Sequence, residues 1–198
     1  MQNSSTSLKD RRIVLGVTGG IAAYKAADLV RRLKEVGADV QVVATENALR
    51  FVGAQTFQAV SGRTVRSSLW DESAEAAMGH IELARWPDLV LIAPASANTI
   101  ARLAQGQADD LLSTLCLATD RPIVIAPAMN RLMWANSATQ ANVNTLRQRG
   151  VQIIGPGSGD QACGETGDGR MLEPTQIREA VAALLATTVA SSALSGTR

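Results

Sequence analysis

Two side chains in the sequence are candidates for proton transfer. The only histidine, His80, carries an imidazole, which gains or loses a proton readily near neutral pH, although a lone histidine is more often structural or merely exposed. Cys163 lies in the glycine-rich stretch 155–171, whereas Cys116 falls in the apolar stretch 111–118. We therefore take Cys163 as the candidate for chemistry and Cys116 as a small core residue. The stretch 155–171 has too much glycine for regular structure and is too long for a simple connector, so we expect a mobile functional loop.

A pair of glycines follows the first apolar stretch of the chain. Gly19 and Gly20 allow a sharp turn, and their amides, with that of Ile21, would point outward at the start of a helix. Such amides favour an anion, and a single terminal phosphate suits this spacing better than a pyrophosphate. The spacing from Gly16 differs from the dinucleotide fingerprint, and no Lys-Ser/Thr ending of a P-loop follows. A plain strand-to-helix turn remains the other interpretation.

Small and polar residues also follow the later apolar stretches. Thr45 and Glu46 come after the second one, where Glu46 could bind a ribose or, as we prefer, stabilise the first turn of a helix. The stretch 93–99 is dense in small residues and hydroxyls, which a helix cap at Ser96 alone does not explain. Asn130, taken separately, is typical of a helix cap.

Alternating apolar and amphipathic stretches predict the elements that position these residues. The predicted strands are residues 12–17, 40–44, 89–93, 123–126 and 151–154, and the predicted helices are 21–36, 97–105, 110–118, 137–149 and 174–185. Strands that are apolar on both faces and separated by helices indicate a parallel sheet covered on both sides. We predict one three-layer α/β domain over residues 11–185, with a flexible leader at 1–10. Residues 186–198 would be a flexible tail or the start of a linker.

Composition excludes several classes of function. Lys plus Arg is 19 and Asp plus Glu is 18, which argues against nucleic acid as the main partner. Three Trp, one Tyr and two Phe are too few to line a base-stacking groove. Two Cys and one His do not favour a zinc cluster or a disulfide scaffold, so we expect no metal. We also find no signal peptide or membrane span, and we expect a cytoplasmic protein that needs a bound cofactor or very few side chains.

Five segments of the chain resemble the homo-oligomeric flavin-containing cysteine decarboxylases. In order, they are TGGIAAYK (18–25), GHIELARWPD (79–88), APASANTIA (93–101), PAMNRLMW (127–134) and ACGETGDGRM (162–171). Each segment is weak alone, but five in this order and at this spacing are highly specific. The resemblance covers the chain from residue 13 to about residue 184. Within the family it is greatest to the enzymes that act on phosphopantothenoylcysteine in coenzyme A biosynthesis.

The resemblance implies FMN held on a flavodoxin-like, Rossmann-like sheet, and it implies roles for individual residues. The implied cofactor contacts are Gly19, Gly20, Ile21, Thr45, Ser96, Ala97, Asn98, Thr99 and Ala128. His80 matches the active-site histidine of the family, Asn130 its substrate-positioning asparagine and Cys163 its catalytic thiol. The implied substrate-binding residues are Met129, Asn130, Met133, Ala162, Cys163 and Gly164.

The resemblance also implies a reaction and an assembly. Flavin would oxidise the thiol of the substrate to a thioaldehyde, loss of CO2 would leave an enethiolate, and reduced flavin and an acid would restore the thiol. The family forms trimers, often four of them as a dodecamer, with flavin between subunits and His80 reaching across. Bacterial members are commonly fused to a C-terminal synthetase. The alternatives are a peptidyl-cysteine decarboxylase, a flavin prenyltransferase and a non-catalytic flavin-binding regulatory subunit.

Overall fold

A computed structural model describes residues 7–70, 79–162 and 164–195 of the chain. Its centre is a five-stranded parallel sheet in the order β2-β1-β3-β4-β5, which is the flavodoxin-like order. The strands are β1 (Arg12–Val17), β2 (Asp39–Ala44), β3 (Leu89–Ala95), β4 (Ile123–Pro127) and β5 (Gln152–Ile153). The predicted parallel sheet and its five strands are thus confirmed, because each strand end lies within two residues of the prediction.

Helices connect the strands and cover both faces of the sheet. In the described residues they are α1 (Ala23–Glu35), α2 (Glu46–Leu49), α3 (Ala54–Ser61), α4 (His80–Arg85), α5 (Ala97–Gln105), α6 (Leu111–Ala118), α7 (Arg131–Ala135), α8 (Ser137–Gln148) and α9 (Pro174–Ser195). The sequence pattern predicts α1, α5, α6, α8 and the start of α9. It misses α2, α3, α4 and α7, and α2, α4 and α7 have six residues or fewer, which is too short to show a clear apolar period.

Two clusters of buried apolar side chains cover the two faces of the sheet. Neighbouring residues of β1 show the division, since Ile13 and Leu15 belong to one cluster and Val14 to the other. The first cluster joins the sheet to α1 and α9, and the second joins it to α5, α6 and α8. All seven residues of β3 are buried, as expected for a central strand with helices on both sides.

The two ends of the described chain differ from the prediction. Leu8 falls in the predicted flexible leader, but its side chain is 1% exposed and belongs to the core, and its amide donates to the carbonyl of Val36 at 2.8 Å. Burial of a leucine offsets the entropy of ordering the chain before β1. Helix α9 continues past residue 185, where the pattern predicts its end, to Ser195.

The glycine-rich stretch forms a β-hairpin rather than the irregular loop that we expected. Strands β6 (Gly157–Asp160) and β7 (Thr166–Arg170) pair antiparallel. The hairpin packs on the segment after β4, because the amide of Met129 donates to the carbonyl of Gly169 at 2.9 Å. A Cβ at Gly169 would lie 2.4 Å from the carbonyl oxygen of Met129, so the glycine makes this close approach possible.

The order of the strands creates a crevice at one edge of the sheet. The chain leaves β1 toward β2 on one side, whereas β3 pairs with β1 on the other. Ligands of open α/β sheets bind at such a switch point, beyond the carboxyl ends of the strands.

In the described part of the chain, no helix has the length and apolar character that crossing a membrane demands.

Candidate active site

Thr18 joins the loops that follow β1 and β3 at the switch point. Its side chain is buried, and its hydroxyl donates to the carbonyl of Pro94 at 2.7 Å and accepts from the amide of Ser96 at 3.0 Å. One side chain therefore fixes the relative position of two loops 76 to 78 residues apart in sequence. We assigned no role to Thr18 from the sequence. The one available signal was a hydroxyl directly after a buried strand.

The start of α1 presents backbone amides without partners. Within the described residues, the amides of Gly20, Ile21 and Ala22 donate no hydrogen bond, and no side chain caps the helix. Unsatisfied amides at the start of a 13-residue helix favour an anion, so the anion site expected from the sequence stays a prediction that this geometry allows. Gly19 brings this turn close to Asn47, because a Cβ at Gly19 would lie 2.5 Å from the Cβ of Asn47.

Two of the predicted cofactor residues begin helices that point at the same crevice. The hydroxyl of Thr45 accepts from the amide of Ala48 at 3.2 Å and caps α2. The hydroxyl of Ser96 accepts from the amide of Thr99 at 3.2 Å, caps α5 and also contacts the hydroxyl of Thr99 at 3.1 Å. These caps direct two helix N-termini and their hydroxyls toward the crevice, where they can meet a polar ligand.

A cavity of about 630 Å³, here called the Asn130 cavity, lies between the start of α1, the segment after β4 and the hairpin. The predicted residues that line it are Gly19, Gly20, Ile21, Ser96, Ala97, Ala128, Met129, Asn130, Met133 and Ala162. It therefore collects most of the predicted substrate-binding residues. Gly164 does not line it, and Cys163 lies outside the described residues.

A second cavity of about 530 Å³, here called the Thr45 cavity, lies on the other side of the same loops. The predicted residues that line it are Gly19, Thr45, Ser96, Ala97, Asn98, Thr99 and Met133. Gly19, Ser96, Ala97 and Met133 line both cavities and form a common wall. Thr45, Asn98 and Thr99 thus line the Thr45 cavity alone, and Met129, Asn130 and Ala162 line the Asn130 cavity alone, so the two cavities are neighbours with partly distinct linings.

Asn130 is held at the wall of its cavity by both ends of its amide. Its side-chain oxygen accepts from the amide of Leu132 at 2.8 Å and caps α7, which agrees with the helix cap expected from the sequence. Its Nδ2 donates to Glu165 Oε2 at 2.6 Å. Gln161 adds a second tie, since its side-chain oxygen accepts from the amide of Arg131 at 3.1 Å. The sequence analysis singled out neither Gln161 nor Glu165.

His80 is not brought to either cavity of its own chain. It is the first residue of α4 and is half-buried, and neither cavity is lined by it. In the described residues, no three His, Cys, Asp or Glu side chains are grouped so that they could hold a metal ion. Within one chain, then, the arrangement offers hydroxyls, an amide and helix N-termini around two adjoining cavities.

Comparison with known proteins gives a family and a curated relative. A family model described as Flavoprotein matches residues 1–186. The chain is 60% identical over 171 residues to the Coenzyme A biosynthesis bifunctional protein CoaBC of Vibrio vulnificus (strain YJ016). That match covers 86% of this chain but 43% of the relative, so the chain spans less than half the length of that protein.

Two solved structures are similar over nearly their whole length. A cysteine-to-serine mutant of PPC decarboxylase complexed with pantothenoylaminoethenethiol has a TM-score of 0.77 and 34% identity, covering 87% of this chain and 97% of that one. The FMN-dependent cysteine decarboxylase SpaF has a TM-score of 0.77 and 30% identity, covering 92% of this chain and 99% of that one. The similarity therefore covers most of this chain.

Proposed function

The chain belongs to the Flavoprotein family, and from this premise we propose that it is an FMN-dependent decarboxylase of phosphopantothenoylcysteine. The product would be phosphopantetheine, in coenzyme A biosynthesis. The observation that carries this proposal is the common wall of the two cavities, which would put a cofactor beside a substrate. The names of the relatives support it, since one is a coenzyme A biosynthesis protein and another is a PPC decarboxylase.

The residues of the site fit FMN. The Thr45 cavity offers the hydroxyls of Thr45, Ser96 and Thr99 to a ribityl chain. Across the common wall, in the Asn130 cavity, the amides of Gly20 and Ile21 lack partners and suit a phosphate. Small residues at the common wall allow a flat ring to approach the backbone closely. When bound, FMN would accept two electrons from the thiol of the substrate and later return them. Gly19, Ala97, Asn98 and Ala128 complete the set that we propose to contact it.

We assign the cysteine end of the substrate to Asn130 and the residues around it. Glu165 and the first turn of α7 hold the amide of Asn130 in one orientation at the cavity wall. A fixed amide can bind the carboxylate of the substrate without reorganising, and loss of such a donor costs about 10²–10³ in rate. Met129, Met133 and Ala162 supply apolar contacts that exclude water from the reacting sulfur. Gly164 belongs to the same proposed substrate set.

Cys163 is proposed to supply the proton in the reductive half of the reaction. Ala162, the residue before it, lines the Asn130 cavity. Cys163→Ser should decarboxylate its substrate once and then stop, with the flavin left reduced and an oxidised product, because a serine hydroxyl is a much weaker acid than a thiol. An absorbance spectrum of the mixture would show bleached flavin. Repeated turnover by this variant would refute the role.

His80 is proposed to act in the site of a neighbouring subunit, as base for the thiol or by orienting the carboxylate. It lines neither cavity of its own chain. Large apolar side chains are exposed, among them Trp70 at 87%, Tyr24 and Leu132, which suits burial between copies of the chain. We propose a homo-oligomer, a trimer or four trimers as a dodecamer.

The substrate would come from a synthetase that joins cysteine to phosphopantothenate. The Vibrio relative is named bifunctional, and more than half of its length lies outside the match. We propose that this second activity, fused or separate, supplies the acyl-cysteine in the cytoplasm. The proposed function includes neither a nucleic acid nor a membrane as a partner.

The direct test is turnover by the purified, FMN-loaded protein. Incubation with phosphopantothenoylcysteine should give a product lighter by CO2 in mass spectrometry, and the protein should be yellow. A peptide ending in cysteine is the matched competitor and should remain intact, because it lacks the pantothenoyl and phosphate groups. Decarboxylation of the peptide alone would favour a peptidyl-cysteine decarboxylase, and a colourless protein that cannot bind FMN would refute the proposal.

A further inference from the structure

Two cationic side chains, Lys25 and Arg170, lie at one corner of the Asn130 cavity. The proposed reaction at the cysteine end of the substrate assigns no role to them. Lys25 Nζ donates to Glu173 Oε1 at 2.8 Å, and Arg170 Nη2 donates to the same oxygen at 3.0 Å. Lys25 and Arg170 both line the cavity. The carboxylate of Glu173 therefore forms ion pairs with both Lys25 and Arg170, and these three side chains together carry a net positive charge.

Lys25 occupies a position that helix stability does not favour. It lies in the first turn of α1, where the helix dipole stabilises negative charge and opposes a cation. Its side chain is only 10% exposed, although a lysine normally keeps its ammonium group in water. A cation held there points to an anion in the cavity, beyond the single carboxylate that it shares with Arg170.

The acidic group in the same cavity lies at the other end of the hairpin. Asp160 lines the cavity, and its carboxylate accepts from the hydroxyl of Thr166 at 2.7 Å, next to the hairpin tip. Arg170 pairs with Gly157 at the base. The cavity is therefore polarised along the hairpin, with the carboxylate near the tip and the excess positive charge near the base.

The length of the hairpin matches the length of the proposed substrate. From Thr166, beside the tip, to Arg170 at the base, β7 spans roughly 13 Å at the usual rise of a strand. About eleven bonds separate the cysteine α-carbon of phosphopantothenoylcysteine from its phosphorus, which is also roughly 13 Å when the chain is extended. A substrate with its cysteine near Asn130 and Ala162 can therefore place its phosphate at the base.

Resting on the function proposed above, we infer that Lys25 and Arg170 bind the phosphate monoester of the substrate. A guanidinium and an ammonium are the groups that proteins use for phosphate, and the dianion supplies the negative charge that this corner lacks. The phosphate of FMN offers the same chemistry. The amides of Gly20 and Ile21, which line the same cavity, already suit that phosphate without a side-chain cation, and the flavin content of the variants distinguishes the two ligands.

The test compares two ligands that differ only in this phosphate. Dissociation constants of phosphopantetheine and pantetheine are measured by calorimetry on the FMN-loaded protein. The variants are Lys25→Met and Arg170→Met. Lys34→Met, on the same helix but bonded to the carbonyl of Ser61, and Arg147→Met, on α8, are the matched controls. Lys25→Arg tests whether charge alone suffices and guards against a methionine variant that fails to fold.

The wild type and both controls should bind phosphopantetheine more tightly than pantetheine. Each methionine variant should lose roughly tenfold to a hundredfold of that preference, with unchanged affinity for pantetheine and unchanged flavin per chain, and Lys25→Arg should keep most of it. An unchanged preference in both methionine variants overturns the inference, and so does loss of flavin, which would assign the pair to the cofactor. A wild type that turns over its substrate without any preference overturns the inference alone. A wild type without turnover overturns the proposed function as well.

Discussion

A single hydroxyl, that of Thr18, determines how the two central loops of the site meet. It satisfies the carbonyl of Pro94 near the end of β3 and the amide of Ser96 in the loop that follows; the first contact is buried and the second is part-buried. Because an unsatisfied buried polar group costs more than a good hydrogen bond contributes, the threonine is more important here than its size suggests. The common wall of the two cavities depends on this contact.

Replacement of Thr18 by valine tests this role at nearly constant volume. We expect Thr18→Val to lower the free energy of unfolding by about 2–3 kcal/mol, because the carbonyl of Pro94 and the part-buried amide of Ser96 lose their partner. FMN affinity should fall as well, since Ser96 belongs to the common wall. Urea denaturation and flavin titration measure the two effects. Thr139→Val, a buried threonine on α8 outside both cavities, is the control, and an equal loss there would contradict the assignment.

Cys116 should be chemically silent in the folded protein. Burial, with a smaller contribution from nearby Asp110, raises the pKa of the Cys116 thiol to about 12, so the reactive thiolate is absent at neutral pH. Iodoacetamide should leave the peptide that contains Cys116 unmodified in native protein and modify it in urea. Mass spectrometry of the digested protein measures the fraction of this peptide that is modified. Rapid native labelling would show that α6 opens locally.

At the scale of elements, the hairpin β6–β7 forms one side of the Asn130 cavity because its backbone approaches the segment after β4 very closely. Gly169 has a φ of +128°, which L side chains rarely adopt, and its carbonyl accepts from the amide of Met129. Gln161 and Glu165 then bond to the segment that begins α7. The hairpin is therefore docked by backbone and polar contacts rather than by a core of its own.

A methyl group at position 169 should separate the hairpin from this segment. Gly169→Ala places a Cβ 2.4 Å from the carbonyl oxygen of Met129 and adds backbone strain, so we expect a loss of stability above about 2 kcal/mol. Substrate turnover should fall further than the stability loss explains, because the cavity opens. The control is Gly106→Ala, where φ is +68° and a Cβ meets nothing within 4 Å, with an expected cost of about 1–2 kcal/mol. Similar melting temperatures and activities would contradict the docking role.

At the scale of the whole molecule, the site of one chain contains Asn130 but not His80. Subunit mixing tests whether a neighbour supplies the histidine. Co-expression of His80→Asn with Cys163→Ser chains in equal amounts should restore about one quarter of wild-type activity. With random assembly, half of the sites contain an intact Cys163, and half of those receive an intact His80 from the neighbour. Co-expression of Asn130→Asp with Cys163→Ser chains should stay inactive, since both residues are proposed to serve one site. No recovery in the first mixture would assign His80 to its own chain.

Local sequence patterns were enough to predict the central sheet, its long helices and the loops that carry the site. Apolar runs such as residues 89–93 and helical periods such as 97–105 are local signals, and burial of β3 on both faces follows directly from them. The helix cap at Asn130 was equally predictable, because capping depends on neighbours within three residues. The family was recognisable from the order of five short segments.

How these parts face one another could be seen only in the folded chain. It divided the predicted residues between two cavities, turned the stretch 155–171 into a docked hairpin and brought Lys25 within reach of Glu173. The roles of Thr18 and Glu165 depend on partners 35 to 78 residues away. Such contacts leave no period in the sequence, because they arise from the packing of whole elements and not from the conformational preference of any one of them.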